Sequence, residues 1–233
     1  LETVAQDLGL EAEQVILPEE FIGLDSAAVT PAIAVVRHSD GATHFVVVWR
    51  RVGRWLQLMD PAGGRRWVSI DSFREELYRH KASAPAATWR EWAQSADCQG
   101  PLGERMTALG VPPGEAAALR RQALSDPGWF PVAALDAAVR LTASVVTAGG
   151  VRKGGEAARL AAAVFRETLA NPHDIHALAP KAFWSVSPDP DAPRDLGQHL
   201  IVEGAVFLKV SGARSVAGSA EALQRLSPDL SAA

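Results

Sequence analysis

The segment formed by residues 43 to 60 constrains the fold more than any other part of the sequence. It holds two runs rich in β-branched, aromatic and aliphatic residues, 45 to 49 and 55 to 59, with Val52 and Gly53 between them. Because glycine readily adopts the backbone angles of a tight turn, this pattern predicts an antiparallel β-hairpin. The chain is therefore expected to build a sheet around these two strands.

The predicted hairpin brings a histidine and an aspartate onto neighbouring strands. With Val52 and Gly53 as the turn residues, His44 lies opposite Pro61, and a turn shifted by one residue places it opposite Asp60. Either register leaves the imidazole and the carboxylate within side-chain reach, as the base and the orienting group of a catalytic triad are. The alternative is a surface or core histidine and an aspartate that opens a turn and caps local N–H groups.

Four segments carry a family resemblance: Pro31-Ala-Ile-Ala-Val-Val, Thr43-His-Phe-Val-Val-Val, Leu58-Met-Asp-Pro-Ala-Gly-Gly-Arg and Ser72-Phe-Arg-Glu-Glu-Leu. In this order they resemble the second half of the bacterial double-glycine leader peptidase domain. That domain is a papain-like cysteine peptidase found at the N terminus of ABC exporters that process and secrete bacteriocins. The resemblance covers about residues 1–80, and it implies His44 as the general base and Asp60 as the residue that orients it.

The resemblance also implies what the protein binds. An intact parent would bind a double-glycine leader peptide and, given a nucleophile, cleave it; a catalytically inactive peptide-binding or structural docking domain is the alternative. In the resembled family a Gln and then a Cys-Gly-Pro segment precede the histidine, and no Gln followed by Cys-Gly-Pro occurs ahead of His44. We therefore expect that the sequence starts inside the peptidase domain and that this chain alone is inactive.

The sequence contains one cysteine, Cys98, just before a predicted helix over residues 101–109. A thiol near a helix N terminus can have a lowered pKa. If Cys98 packed beside His44, the chain would hold a Cys-His-Asp set in permuted order. An incidental loop cysteine is the favoured alternative, because the resembled family places its nucleophile before the histidine.

Other polar clusters give no cofactor site. His173, Asp174 and His176 could begin a metal site, but no third or fourth ligand accompanies them. The Lys153-Gly-Gly-Glu segment lacks the strand and the Gly-Lys-Ser/Thr ending of a phosphate loop. We expect no metal and no cofactor in this chain, and ATP only in the nucleotide-binding part of the exporter that the resemblance implies.

The hydrophobic periodicity predicts an α+β fold in which a small antiparallel sheet precedes a mostly helical domain. The resemblance implies that the sheet is the antiparallel-sheet half of a papain-like cysteine peptidase domain. For residues 1–80 it predicts a helix over 1–8, strands over 11–17, 31–37 and 65–70 beside the hairpin, and a helix over 71–80. Residues 81–112 are predicted to be a linker with short helices. Within it, Trp89 and Trp92 share one helix face and are expected to dock on a domain surface.

Residues 113–212 are predicted to form a helical adaptor domain with a C-terminal β-hairpin, followed by a flexible tail over 213–233. The helices are expected over 115–125, 131–148 and 153–170, and the two strands over 181–187 and 199–210. The linker and the change of period indicate a separately folding unit. Because a covering helix is missing from the sheet of residues 1–80, that sheet is expected to lean on the Trp89 and Trp92 segment or on a second copy of the chain.

Composition excludes several classes of function. A net charge of −4 and a pI near 5.9 argue against a nucleic-acid surface, which needs a basic stripe. One cysteine forbids an intramolecular disulfide and suits a reducing compartment. No run reaches the ~18 apolar residues of a membrane-spanning helix. We expect a soluble fragment that works on the cytoplasmic side of a bacterial inner membrane, beside the transmembrane and nucleotide-binding parts of an exporter.

Overall fold

The computed structural model describes residues 1–37, 41–192 and 198–213, and it confirms the α+β class with an antiparallel sheet. The chain divides into two compact units. The first unit comprises Leu1–Gly23, Val29–His80 and the chain from Ala205, and the second comprises Leu24–Ala28 and Lys81–Gly204. Of the predicted tail, residues 214–233 lie outside the described residues.

The first unit is an antiparallel sheet with short helices. Its elements are α1 (Glu2–Asp7), β1 (Leu10–Leu17), a 3-10 turn (Glu19–Gly23), β2 (Ala32–Arg37), β3 (Thr43–Val52), β4 (Trp55–Asp60), β5 (Gly64–Ser69) and α2 (Ile70–Glu76). The strand β8 (His199–Ala213) contributes its second half, so that the strand order is β1-β8-β2-β3-β4-β5. A strand from the far end of the sequence therefore lies between β1 and β2.

The hairpin of β3 and β4 forms as predicted, but with a different turn. Val52 pairs with Trp55, which makes Gly53 and Arg54 the two turn residues. Gly53 has a φ of 57°, the left-handed value that a side chain disfavours, so the glycine belongs inside the two-residue turn. Both predicted registers are wrong for this reason.

One face of this sheet is the core of the first unit. The alternate residues Val46, Val48, Leu56 and Leu58 are fully buried. Phe73 of α2 is also fully buried. The other face of β3, β4 and β5 is exposed and is described below.

The helix predicted over residues 71–80 is shorter. Its N-cap is Ser69, whose side chain accepts a hydrogen bond from the Ser72 N–H, and the helix ends before Leu77, which takes an extended backbone. Leu77 bridges to Val36, and the Tyr78 N–H donates to the carbonyl of Val35. Strand pairing therefore replaces the last predicted turn of the helix.

Among its described residues, the second unit packs five α-helices around a core of its own. Its helices are α3 (Ala86–Gln94), α4 (Ala96–Ala108), α5 (Pro113–Ser125), α6 (Phe130–Thr147) and α7 (Gly155–Ala170). Strand β6 (Arg79–Pro85) and strand β7 (Val186–Pro188) pair with β8, and Val186 lies opposite Val202 in an antiparallel hairpin.

Two sequence predictions for this region are wrong. Residues 81–112 are not a linker outside the two units, because β6, α3 and α4 belong to the second unit; Lys81 pairs with Glu203 at 2.9 Å, and Trp89 lies in the core cluster. The strand predicted over 181–187 begins as a 3-10 turn, Lys181–Phe183, and only its end is extended. The alanine-rich composition around Pro85 hides these elements because it has little periodicity of its own.

Helix α6 is long and apolar enough to cross a membrane by length and composition, but 56% of it is buried in the protein. Val132, Leu135 and Val139 on this helix lie in the core cluster with Phe165 of α7. Such burial is typical of the central helix of a packed domain.

Candidate active site

The structure brings His44 and Asp60 together on adjacent strands of the first unit. Nε2 of His44 lies 3.3 Å from Oδ2 of Asp60. Val47 pairs with Met59, so continuing this register places Asp60 opposite Val46, two residues along the same face from His44. The two side chains are therefore diagonal neighbours rather than directly opposed, and the prediction that they share a face within hydrogen-bond reach is confirmed.

A β-bulge contributes to this geometry. The register of β3 and β4 shifts between Val48 and Arg50, which lets both Trp49 and Arg50 point away from the core face. Beyond the bulge, towards His44, alternation places the histidine on the face that carries the buried residues. The imidazole is thus partly covered, with 22% of the side chain exposed, against 8% for Asp60.

The Asp60 carboxylate contacts both the turn that follows it and the ring of His44. Its Oδ1 accepts hydrogen bonds from the N–H groups of Ala62, at 2.9 Å, and Gly63, at 3.4 Å, while Oδ2 lies towards His44. Asp60 therefore caps the following turn and contacts His44 at the same time. The Ala62 hydrogen bond is the main cause that lowers the pKa of Asp60; burial opposes it, and His44 and Gly63 add to the lowering.

The ionised carboxylate determines which ring nitrogen of His44 carries a proton. A carboxylate can only accept, so the neutral imidazole that bonds to Asp60 through Nε2 must be protonated there. Nδ1 then carries the lone pair that can take up a proton. The pair therefore has the chemistry of an oriented general base.

An ion pair beside the site was not predicted from the sequence. Arg66 of β5 makes a bidentate contact with Glu76 of α2, with Nη1 3.1 Å from Oε1 and Nη2 2.5 Å from Oε2. Glu76 is the main cause that raises the pKa of Arg66, and the charge of Asp60 contributes. A spacing of ten residues between a strand and a helix leaves no periodic signal, so only the fold reveals the pair.

The geometry and the residues around it agree with a family comparison. Residues 1–82 match the Peptidase C39 family model. The matched segment contains His44, Asp60 and the Arg66–Glu76 pair, so the candidate site lies within a C39 peptidase-like domain. No curated protein matches the chain.

Cys98 has properties opposite to those of a reactive thiol. It lies in the first turn of α4, in the core cluster of the second unit, and only 8% of it is exposed. Burial, with a contribution from Asp136, raises the pKa of the Cys98 thiol to about 12, although three arginines oppose the shift. The lowered pKa that a thiol near a helix N terminus can have does not occur at Cys98, because burial raises it.

The second sequence candidate, His173 with Asp174 and His176, is not arranged as a metal site. Among the residues that the structure describes, no group of three or more His, Cys, Asp and Glu side chains could hold a metal ion. His173 is exposed, and the ring of His176 contacts Trp184 edge-on with centroids 5.7 Å apart. His176 therefore takes part in aromatic packing within the second unit.

Proposed function

We propose that residues 1–82 are the base-bearing, peptide-binding part of a papain-like cysteine peptidase domain that recognises the double-glycine leader peptide of an exported bacterial peptide. The observation that supports this most strongly is the 3.3 Å contact between His44 Nε2 and Asp60 Oδ2 within a segment that matches the Peptidase C39 family. A hydrogen bond in this direction is what a base needs to hold one tautomer.

The chemistry of the site follows from that tautomer. A cysteine thiol placed at Nδ1 of His44 gives up its proton to that nitrogen, and Asp60 stabilises the resulting imidazolium. The thiolate attacks the carbonyl carbon of the peptide bond that follows the second glycine. His44 then gives its proton to the leaving amine, and water hydrolyses the thioester to release the leader.

A second function, peptide binding without cleavage, has its own support. Cys98 is the only cysteine of this sequence, and it is buried with a raised pKa. This chain by itself is thus expected to bind a leader peptide and to leave it intact. A polypeptide that also supplies a Gln and a Cys-Gly-Pro segment ahead of residue 1 would be a peptidase.

We place this function in an ABC exporter on the cytoplasmic side of a bacterial inner membrane. The partners would then be the leader peptide and the transmembrane and nucleotide-binding parts of the exporter, with ATP bound only by the latter. A second copy of the chain is a further partner that such an assembly allows. No metal or cofactor is needed for the chemistry proposed at His44 and Asp60.

The test is a nuclear magnetic resonance titration of the chain with a synthetic leader peptide that ends in two glycines and continues into cargo residues. The resonances of His44 and of the turn after Asp60 are expected to shift on saturation. A matched peptide with valines in place of the two glycines should leave them unchanged, because the proposed function requires the site to select the two glycines.

Cleavage is followed in the same samples by mass spectrometry. We expect none, because the one cysteine of the sequence, Cys98, is buried in the core of the second unit. If the peptide binds to saturation and the resonances of His44 do not shift, the proposed site is refuted. Cleavage that Cys98→Ala abolishes would instead establish the permuted triad.

A further inference from the structure

The exposed face of β3, β4 and β5 carries a large apolar patch. Six side chains on it are each 41–54% exposed, and we call them the outer-face patch: Phe45, Trp49, Val52, Trp55, Met59 and Trp67. Three of the seven tryptophans of the sequence lie in it. Isolated exposed apolar residues are common, but a contiguous set of this kind on a soluble surface marks a binding surface.

Arginine accompanies the outer-face patch. The guanidinium of Arg50 lies over the ring of Trp67, 5.7 Å from its centroid, and that of Arg54 lies 5.8 Å from the centroid of Trp55. Both distances are within the range of cation–π attraction. The positive charges are thus held directly beside apolar rings.

The charge of this face has one sign. Arg65 pairs with Met59 and so shares its face, which adds a third arginine. Along the three strands, all of which the structure describes, the outward-facing positions hold no Asp or Glu, because Asp60 faces the core side. The whole chain has a net charge of −4. This face is nevertheless locally positive, so it can attract an anionic surface.

Charge separates two kinds of partner. Six half-exposed large side chains present ~600 Å² of apolar surface, which is enough for a protein partner or for a bilayer interface. An anionic bilayer also binds the arginines of this face, because each arginine near such a surface strengthens binding about fivefold. Tryptophan and arginine are also the side chains that lie at the level of lipid headgroups.

We propose that the outer-face patch is a peripheral docking surface for a bilayer that contains anionic lipids. The aromatic rings and Met59 enter the headgroup region, and Arg50, Arg54 and Arg65 bind lipid phosphates. This role does not depend on the chemistry of His44 and Asp60, whose side chains lie on the opposite face of the sheet.

The test is co-sedimentation of the chain with vesicles of phosphatidylcholine, pure or with one third replaced by phosphatidylglycerol. We expect binding to the mixed vesicles, weaker at high salt, and a blue shift of tryptophan fluorescence. Arg54→Gln and Arg65→Gln should each weaken binding about fivefold. Trp49→Gln combined with Trp67→Gln should weaken it about tenfold.

The control variants change an exposed arginine and an exposed large apolar residue of the second unit, Arg121→Gln and Leu178→Gln, and should bind as the unaltered chain does. Unchanged circular dichroism verifies that each variant is folded. Equal binding to pure phosphatidylcholine, or control variants as weak as the patch variants, would overturn the proposal. A concentration-dependent dimer that Trp49→Gln and Trp67→Gln dissociate, without vesicle binding, would assign the patch to a second copy of the chain and also overturn it.

Discussion

At the scale of single residues, Asp60 fixes the protonation of His44. We expect the ¹⁵N resonances of neutral His44 to show Nε2 protonated and Nδ1 unprotonated, because the ionised carboxylate accepts from Nε2. Asp60→Ala should produce a mixture of tautomers, whereas Asp71→Ala, at an exposed aspartate of α2, should not. A protonated Nδ1 in the unaltered chain would exclude the base that the proposed mechanism needs.

The lowered pKa of Asp60 makes a prediction about acid stability. A carboxyl group whose pKa is lower in the folded state stabilises the fold at pH values above its ordinary pKa of 3.8. This contribution is lost as the pH falls through the folded-state pKa. The unaltered chain should therefore have a higher free energy of unfolding than Asp60→Asn, and this difference should be largest at neutral pH. Urea titrations at several pH values should show it shrinking below about pH 4. A difference that grows on acidification would contradict the direction of the shift.

Sequence reasoning identified the two residues of the site but not their exact relation. His44 and Asp60 were found from spacing and from the resemblance, since strand alternation alone determines which face each residue occupies. The diagonal placement escaped prediction because it depends on the bulge between Val48 and Arg50, and a bulge leaves no periodic signature. For Cys98 the sequence favours an incidental loop cysteine, but it does not show that the residue is buried in a helix, because burial depends on packing against distant segments.

At the scale of elements, the turn between β4 and β5 supplies the N–H groups that hold the Asp60 carboxylate. Gly64 has a φ of 75°, and a side chain there would be strained whatever space surrounds it. Gly64→Ala should lower the free energy of unfolding by about 1 kcal/mol and weaken the hydrogen bonds that Asp60 accepts from Ala62 and Gly63.

Gly114→Ala is the matched control, because Gly114 lies in the first turn of α5 with open space around it. That substitution should be neutral or stabilising. Chemical denaturation of both variants, with the His44 resonances as a local probe, measures the two effects. Equal stabilities for the two variants would mean that the turn is not strained.

Elements with strong periodicity were predicted best. Helices α5, α6 and α7 begin and end within two residues of the predicted bounds because their apolar stripes repeat at helical spacing. Strand β6 is not predicted, and helix α4 is predicted only from residue 101 although it begins at Ala96, because neither segment has a strong apolar stripe. Their identity depends on partners distant in sequence, namely β8 and the core around Trp89.

At the scale of the whole molecule, the two units share β8. Its residues from Ala205 to Ala213 pair with β1 on one side, and Lys209, Leu208 and Phe207 pair with β2 on the other. Deletion of the chain after Gly204 should therefore disrupt the first unit, because it removes an internal strand and the fully buried side chain of Phe207. Helices of the second unit should persist.

Amide hydrogen exchange checks this prediction. In the shortened chain, protection should fall in β1 and β2 while that of α6 and α7 is retained. A chain that ends after Ala213 keeps the strand and should retain the protection of both units. If β2 kept its protection after deletion of the chain beyond Gly204, the second half of β8 would be dispensable for the sheet.

The position of β8 also sets an order of events during synthesis. The segment that matches the Peptidase C39 family leaves the ribosome with its sheet lacking an internal strand, and the part of β8 that completes this sheet begins more than a hundred residues later, at Ala205. At the usual speed of translation this interval lasts about ten seconds. For that time β1 and β2 have open edges, so the second unit has its whole sequence available to fold before the sheet that carries His44 can close.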